Sequence, residues 1–212
     1  MSETEPRPDS PRRARTRERL MDAAFEVFAE QGLAATSVEQ VAEHAGFTRG
    51  AFYSNFSTKE ELLLALMTRE RDRWVASLSE RVPAVFPFAA GPPIEAEIGA
   101  AVAALLAGPT NHRHAALIQG EFRLLALRDP ELARAFEVHR MALEDSLVDI
   151  VDDAVSRSGR RLRLDTRSMV RVVVALHQDA VERSILAGAE GDPMESVHLE
   201  LARLLTAITE LR

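Results

Sequence analysis

Hydrophobic residues recur at helical spacing over most of this chain. Between Leu20 and Phe28 the apolar side chains fall at positions i, i+3, i+4, i+7 and i+8, so they share one face of a helix. The same spacing continues from Val38 to Ala45 and in a longer run after Ser57. No segment alternates between apolar and polar residues, as a strand does, for more than a few positions. The pattern therefore predicts a helical protein.

Capping signals divide the first third of the chain into four helices. After the first helix, Thr36 and Glu39 form a capping box that opens the second. Gly46 ends the second helix, and Thr48 can cap a short third helix only two residues later. A second box at 57–60 opens a long fourth helix.

Glycine and proline separate five further predicted helices in the rest of the chain. These are Ile94–Ala107, Asn111–Leu127, Pro130–Arg157, Thr166–Ala187 and Pro193–Leu211. Together with the first four they give an all-α fold of nine helices. The nearest candidate for a strand is the alternation Arg161-Leu162-Arg163-Leu164, and it is short.

Composition narrows the possible classes of protein. The chain has 212 residues, 46% of them hydrophobic and none of them cysteine, so it can bury a core but cannot use disulfides, thiolate nucleophiles or cysteine-bound zinc. The net charge of −7 does not exclude nucleic acid, because six arginines lie between Arg7 and Arg19. Residues 1–14 lack periodicity and are interpreted as a mobile basic arm, either a solvated tail or an arm that follows DNA.

The second and third helices form a predicted helix-turn-helix, whose second member can enter a major groove. Arg49 stands at its exposed start, where arginine can donate two hydrogen bonds to guanine. Gly50 allows close approach to the groove, and Tyr53 lies one turn after Arg49 on the same face. Thr36 and Lys59 begin helices and are expected to hold phosphates. The predicted DNA contacts are Arg15, Arg17, Thr36, Ser37, Thr48, Arg49, Gly50, Tyr53, Ser54 and Lys59.

The run TSVEQVAEHAGFTRGAFYSNFSTKEELLLAL resembles the N-terminal domain of the tetracycline-repressor (TetR/AcrR) family of bacterial transcriptional regulators. The resemblance extends from Arg17 to Leu66. It rests on the capped second helix, the glycine turn, Tyr53 in the third helix and the Lys-Glu-Glu-Leu start of the fourth. Many positions agree in order and spacing, which makes the match specific.

The resemblance implies a two-domain homodimer that binds a palindromic operator and responds to a small molecule. We accordingly expect a disordered basic arm (1–14), a helix-turn-helix DNA-binding domain (15–60) and an effector-binding and dimerisation domain (61–212). The effector is expected to be hydrophobic, and no cofactor is expected. Whether the protein represses or activates, and whether one or two dimers occupy an operator, stays open.

Two sets of residues follow for the C-terminal domain. Candidate walls of the effector pocket are Trp74, Phe86, Phe88, Leu105, Gln119, Phe122, Phe136 and His177. The last two helices carry apolar stripes that we expect to pack against both the protein's own core and a second copy. The predicted dimer residues are Val173, Val174, His177, Val181, Ile185, Val197, Leu201, Leu204 and Ile208. For His177, a place at the dimer seam is favoured over ligand contact.

Other classes of function find little support in the sequence. No catalytic residues are predicted, because adjacent carboxylates such as Asp152-Asp153 lie on different sides of a helix and no nucleophile turn occurs. His112 and His114 lack further ligands nearby, so no metal site is expected. The absence of a long apolar segment and of an apolar leader predicts a soluble, cytoplasmic protein. The alternative function is a helical small-molecule-binding protein or enzyme with a vestigial helix-turn-helix.

Overall fold

The computed structural model describes residues 10–85, 112–157, 160–188, 203, 207 and 209–211. Within them lie seven helices and two strands: α1 (Pro11–Gln31), α2 (Val38–His44), α3 (Arg49–Tyr53), α4 (Lys59–Val85), α5 (His112–Ala126), α6 (Pro130–Arg157), β1 (Arg160–Leu162), α7 (Thr166–Ala187) and β2 (Thr209–Leu211). The helical fold predicted from the sequence is confirmed. None of the helices in these residues is long and apolar enough to cross a membrane.

The prediction of nine helices is wrong for the described residues. The predicted helix Ile94–Ala107 lies outside them, and so does most of Pro193–Leu211. The end of the latter is strand β2, which pairs antiparallel with β1, Leu211 opposite Arg160. Strand β1 overlaps the short alternation at 161–164, the nearest candidate for a strand in the sequence. Its partner is about fifty residues distant, so local periodicity could not reveal the pairing.

Helix α1 begins within the predicted arm. Ser10 is its N-cap and accepts a hydrogen bond from the backbone amide of Arg13, and Pro11 occupies the first turn. A proline there suits a helix start, because the amide it lacks would have no partner in the helix. Residues 11–14 are therefore helical rather than part of a mobile arm, whereas residues 1–9 lie outside the described residues.

The capping boxes are displaced by one residue from their predicted positions. Ser37 caps α2: its hydroxyl accepts from the Gln40 amide, and the Gln40 side chain accepts from the Ser37 amide at 2.7 Å. Thr36 is buried instead, and its hydroxyl donates to the Gly32 carbonyl at 2.8 Å. At α4, Thr58 accepts from the Glu61 amide, and Glu61 accepts from the Ser57 amide.

One hydrophobic core joins α1 through α4 with one face of α5. Its fully buried side chains include Leu20 from α1, Phe52 from α3 and Leu66 from α4. Ile118 and Phe122 of α5 belong to the same cluster. We call residues 10–85 the head. Because α5 shares its core, the head is packed directly against the C-terminal helices.

Candidate nucleic-acid interface

The turn between α2 and α3 depends on Gly46. Its φ is +71°, and a Cβ there would meet Nη2 of Arg19 at 3.0 Å, so only glycine fits without strain. The next amide, that of Phe47, donates to the Ala42 carbonyl at 2.7 Å. Thr48 then caps α3 by accepting from the Ala51 amide at 3.3 Å, as predicted. These contacts fix the angle at which α3 leaves α2.

Helix α3 presents one face to the core and another to solvent. Phe52 is fully buried, whereas Arg49, Gly50 and Ser54 are exposed and Tyr53 is 48% exposed. The Tyr53 ring packs edge-on against Phe52 at 5.4 Å between centroids, so the buried ring anchors the exposed one. Four of the predicted DNA contacts therefore lie on one exposed surface. Packing of the core does not require their side chains.

Arg49 has two neighbours on this surface. Its Nη1 lies 2.7 Å from Oε1 of Glu39 on α2, and its guanidinium carbon lies 5.4 Å from the centroid of the Tyr53 ring. The hydrogen bond with Tyr53 and, second, the charge of Glu39 raise the pKa of Arg49 above its ordinary value. Arg49 is therefore a fixed positive charge on the exposed face.

Two predicted phosphate contacts have structural roles. Lys59 directs Nζ inward and donates to the carbonyls of Leu33 at 2.8 Å and Thr36 at 2.5 Å, which ties the α1–α2 loop to the start of α4. Thr36 is 1% exposed, with its hydroxyl and its amide both bonded to Gly32. A buried side chain cannot reach a phosphate, so the prediction for Thr36 is wrong, whereas DNA contact by the half-buried Lys59 stays a prediction.

Of the predicted contacts on α1 and at the start of α2, some also have a structural role. Nη1 of Arg17 donates to the Asn55 carbonyl at 2.5 Å, and its guanidinium lies 4.1 Å from the centre of the Phe56 ring. Arg17 therefore joins α1 to the end of α3. Arg15 is exposed on α1, and Ser37 is half-buried with its hydroxyl used as the α2 cap. DNA contact by these residues stays a prediction.

Three residues of this region escaped the sequence analysis. Arg19 donates to the Ala45 carbonyl at 2.7 Å and lies over the Phe47 ring, so it supports the turn. Asn55 is buried and donates to the Ala51 carbonyl at 2.8 Å, closing the end of α3. Glu39 pairs with Arg49. The contacts of Arg19 and Glu39 cross between elements, and residue spacing along one helix gives no signal for them, whereas the contact of Asn55 is local to the end of α3.

The predicted effector residues do not form one described cavity. Phe86, Phe88 and Leu105 lie outside the described residues. Phe122 is fully buried and packs edge-on against Phe136 at 5.0 Å, which gives it a place in the core. Trp74, Gln119, Phe136 and His177 are half-buried. A groove of about 790 Å³ runs between α1 and α4, and none of the eight residues lines it. The effector pocket stays a prediction.

The predicted dimer residues on α7 are half-buried in the single chain. These are Val173, Val174, His177, Val181 and Ile185. Exposed apolar residues of α7 include Val172, at 45%, and Leu186, at 85%. The remaining predicted residues, Val197, Leu201, Leu204 and Ile208, lie outside the described residues. The dimer surface also stays a prediction.

Comparison with known proteins finds a family match within the head. Residues 20–66 match the model of the bacterial regulatory proteins of the tetR family. The HTH-type transcriptional regulator SrpR of Pseudomonas putida is 48% identical over 52 residues, 24% of either chain. The HTH-type transcriptional repressor KstR2 of Mycolicibacterium smegmatis is 27% identical over 78% of each chain. For SrpR, then, the match spans about a quarter of the relative's length.

Structural comparison extends the likeness to the whole fold. The transcriptional regulator FadR from Bacillus subtilis, solved in complex with stearoyl-CoA, has a TM-score of 0.66, is 20% identical, and the match covers 90% of this chain and 97% of that chain. At this identity the likeness concerns the fold alone. The likeness to the tetR family in sequence is carried by residues 20–66 of the head.

Proposed function

We propose that this protein is a ligand-responsive transcriptional regulator, acting as a repressor, that binds a palindromic operator as a homodimer and is released by a small hydrophobic effector. The observation that carries the proposal is the exposed face of α3. Arg49, Gly50, Tyr53 and Ser54 stand there on a helix whose angle is fixed by Gly46 and by the buried Phe52. A short, rigidly held helix with an exposed arginine suits a major groove.

The palindromic operator follows from dimer symmetry. Two copies of α3 related by a twofold axis meet two half-sites about one helical turn, ~34 Å, apart. Exposed Arg15 on α1 and the basic residues beside it add sequence-independent attraction to phosphates. The acidic remainder of the chain limits that attraction to the head.

The proposed response to an effector is supported by the C-terminal helices and by the relatives. KstR2 is named a repressor, and FadR of Bacillus subtilis binds stearoyl-CoA. Helix α5 shares the core of the head through Ile118 and Phe122, so a ligand that shifts α5 acts on the helix-turn-helix. If the effector prefers the arrangement that does not bind DNA, release follows from its differential affinity.

DNA binding is tested by selection of duplexes from a random library with the full-length protein. We expect an inverted repeat, bound with an affinity that falls steeply as salt rises. Arg49→Ala should weaken binding to the selected duplex about tenfold to a hundredfold and relax the preference at one base pair of each half-site. Failure to enrich any sequence contradicts the proposal and favours a small-molecule-binding protein with a vestigial helix-turn-helix.

Effector binding is tested on the same complex. Trp74, the single tryptophan, is half-buried on α4 and provides an intrinsic fluorescence signal. A panel of apolar small molecules that includes stearoyl-CoA is titrated while duplex release is followed by anisotropy. We expect at least one compound to change Trp74 emission and release the duplex at the same concentration. Release without saturable binding contradicts this half of the proposal.

A further inference from the structure

Glu39 is an acidic residue on a surface proposed to face a polyanion. It lies in the first turn of α2, its side chain is 53% exposed, and its Oε1 lies 2.7 Å from Nη1 of Arg49. A carboxylate so placed repels phosphates and lowers the affinity for every DNA sequence. Its contact with the arginine at the exposed start of α3 offers a gain that offsets this cost.

We propose that Glu39 is a specificity-determining residue, which orients Arg49 toward a base edge and withholds its guanidinium from sequence-independent phosphate contacts. The proposal rests on the DNA-binding function proposed above. It adds a residue on α2 to the group that sets which base pair is read.

The geometry restrains the guanidinium from two sides. Glu39 holds one nitrogen from α2, and the Tyr53 ring lies 5.4 Å from the guanidinium carbon on α3. Tyr53 is itself anchored edge-on against the buried Phe52. Unrestrained, an exposed arginine samples many rotamers, so holding it in place before binding reduces the entropy lost on contact with DNA.

The contact with Glu39 leaves Arg49 enough free N–H donors to bind a base edge. It engages one nitrogen of a guanidinium that carries five N–H donors on three nitrogens. A bidentate contact with O6 and N7 of guanine needs two of the remaining donors. A phosphate contact, in contrast, competes directly with the carboxylate for the same charge. Glu39 thus penalises binding to arbitrary sequence more than binding to the selected base pair.

The test compares Glu39→Ala with Glu43→Ala. Glu43 is exposed on the same helix, so its replacement removes the same charge from the same element. Affinities are measured by anisotropy for the duplex selected by the wild-type protein and for a shuffled duplex of equal composition, at two salt concentrations. We expect Glu39→Ala to lower the ratio of the two affinities about tenfold, with a gain on the shuffled duplex, whereas Glu43→Ala changes both affinities by a similar factor.

A double-mutant cycle assigns the effect to Arg49. In the Arg49→Ala background, Glu39→Ala should leave the affinity ratio unchanged, because its effect on specificity acts through that arginine. Melting temperatures of all variants verify that each is folded. Equal effects of Glu39→Ala and Glu43→Ala, or a change of ratio that persists without Arg49, overturn the inference. If the wild-type protein selects no duplex at all, the proposed function fails instead, and this inference falls with it.

Discussion

Different interactions stabilise the head and the C-terminal helices. In the head, α1 to α4 enclose fully buried apolar side chains, with Leu20, Phe52 and Leu66 at or near zero exposure. Among the described residues after 112, the buried apolar side chains are Ile118, Phe122, Met169, Val170 and Ala180, and the first two belong to the core of the head. Helices α6 and α7 are instead joined around a buried carboxylate.

That carboxylate is Glu144, which is 5% exposed on α6. It accepts from Arg140 on its own helix and from Nε of Arg171 on α7 at 3.1 Å, and Nη1 of Arg167 lies 3.7 Å away. An apolar core fixes a single arrangement by shape, whereas ion pairs with half-exposed arginines tolerate small displacements. From this difference we infer a rigid head joined to C-terminal helices that can shift. The following experiments test the difference.

The largest effect is expected from Phe52→Ala in the core of the head. Phe52 is fully buried and contacts both Tyr53 and Phe56, so the substitution leaves a cavity under α3. The free energy of unfolding should fall by about 3–5 kcal/mol in urea denaturation. The matched variant Phe136→Ala removes the same ring from a half-buried site and should cost about half as much. Because Phe136 packs at the edge of the same core, equal losses would show that the cost does not depend on the depth of burial.

Glu144→Gln tests the ionic contact between α6 and α7. The substitution keeps the shape but removes the charge that meets three arginines, so we expect the free energy of unfolding to fall by about 2 kcal/mol. Glu137→Gln is the control, because Glu137 also pairs with Arg140 but is exposed. Its effect should be much smaller and should vanish at high salt. A cost for Glu137→Gln as large as that for Glu144→Gln contradicts the special place of the buried carboxylate.

Lys59→Met tests whether Lys59 stabilises the head or contacts DNA. Loss of the two hydrogen bonds to Leu33 and Thr36 should lower the free energy of unfolding by about 1–2 kcal/mol. The slope of log affinity against log salt should stay unchanged, since an inward-facing ammonium neutralises no phosphate. Arg15→Ala, at an exposed site on α1, should instead lower the slope by about one with little effect on stability. A reduced slope for Lys59→Met restores its predicted role as a phosphate contact.

The order of the head's elements could be predicted because its signals are local. The apolar stripe of α1, the turn at Gly46 and the cap at Thr48 each depend on a few neighbouring residues, and each lies where predicted. The choice between Thr36 and Ser37 as the cap of α2 is different. Both carry hydroxyls, and only the burial of Thr36 within the α1–α2 loop, where its hydroxyl donates to the Gly32 carbonyl, decides between them.

Contacts between distant elements could not be predicted from the sequence. Lys59 lies at a helix start, where a free ammonium suits a phosphate, yet the carbonyls of a loop more than twenty residues earlier receive it. Glu121 of α5 likewise accepts from the amide of Leu33 at 3.3 Å, across 88 residues. Periodicity reports which face of a helix is buried, but not which element covers it.

The smallest effect is expected from His139, which gives the C-terminal helices a response to pH. Burial and, second, the charge of Arg71 lower the pKa of His139 below its ordinary value, while Asp72 opposes them. The ring packs against Phe122 at 6.1 Å between centroids. As pH falls below about 6.5, the ordinary histidine value, the unfolded chain takes up a proton that the folded chain resists. The free energy of unfolding should therefore decrease from pH 7 to pH 5, by linkage.

His139→Leu should flatten this pH dependence, measured as the urea midpoint at intervals between pH 5 and pH 7.5. His44→Gln, at an exposed site in the head, is the matched control and should follow the wild-type curve. A pH dependence that survives in His139→Leu would locate the titrating group elsewhere. If His44→Gln abolished the pH dependence, the pH-sensitive site would lie in the head and not in the C-terminal helices.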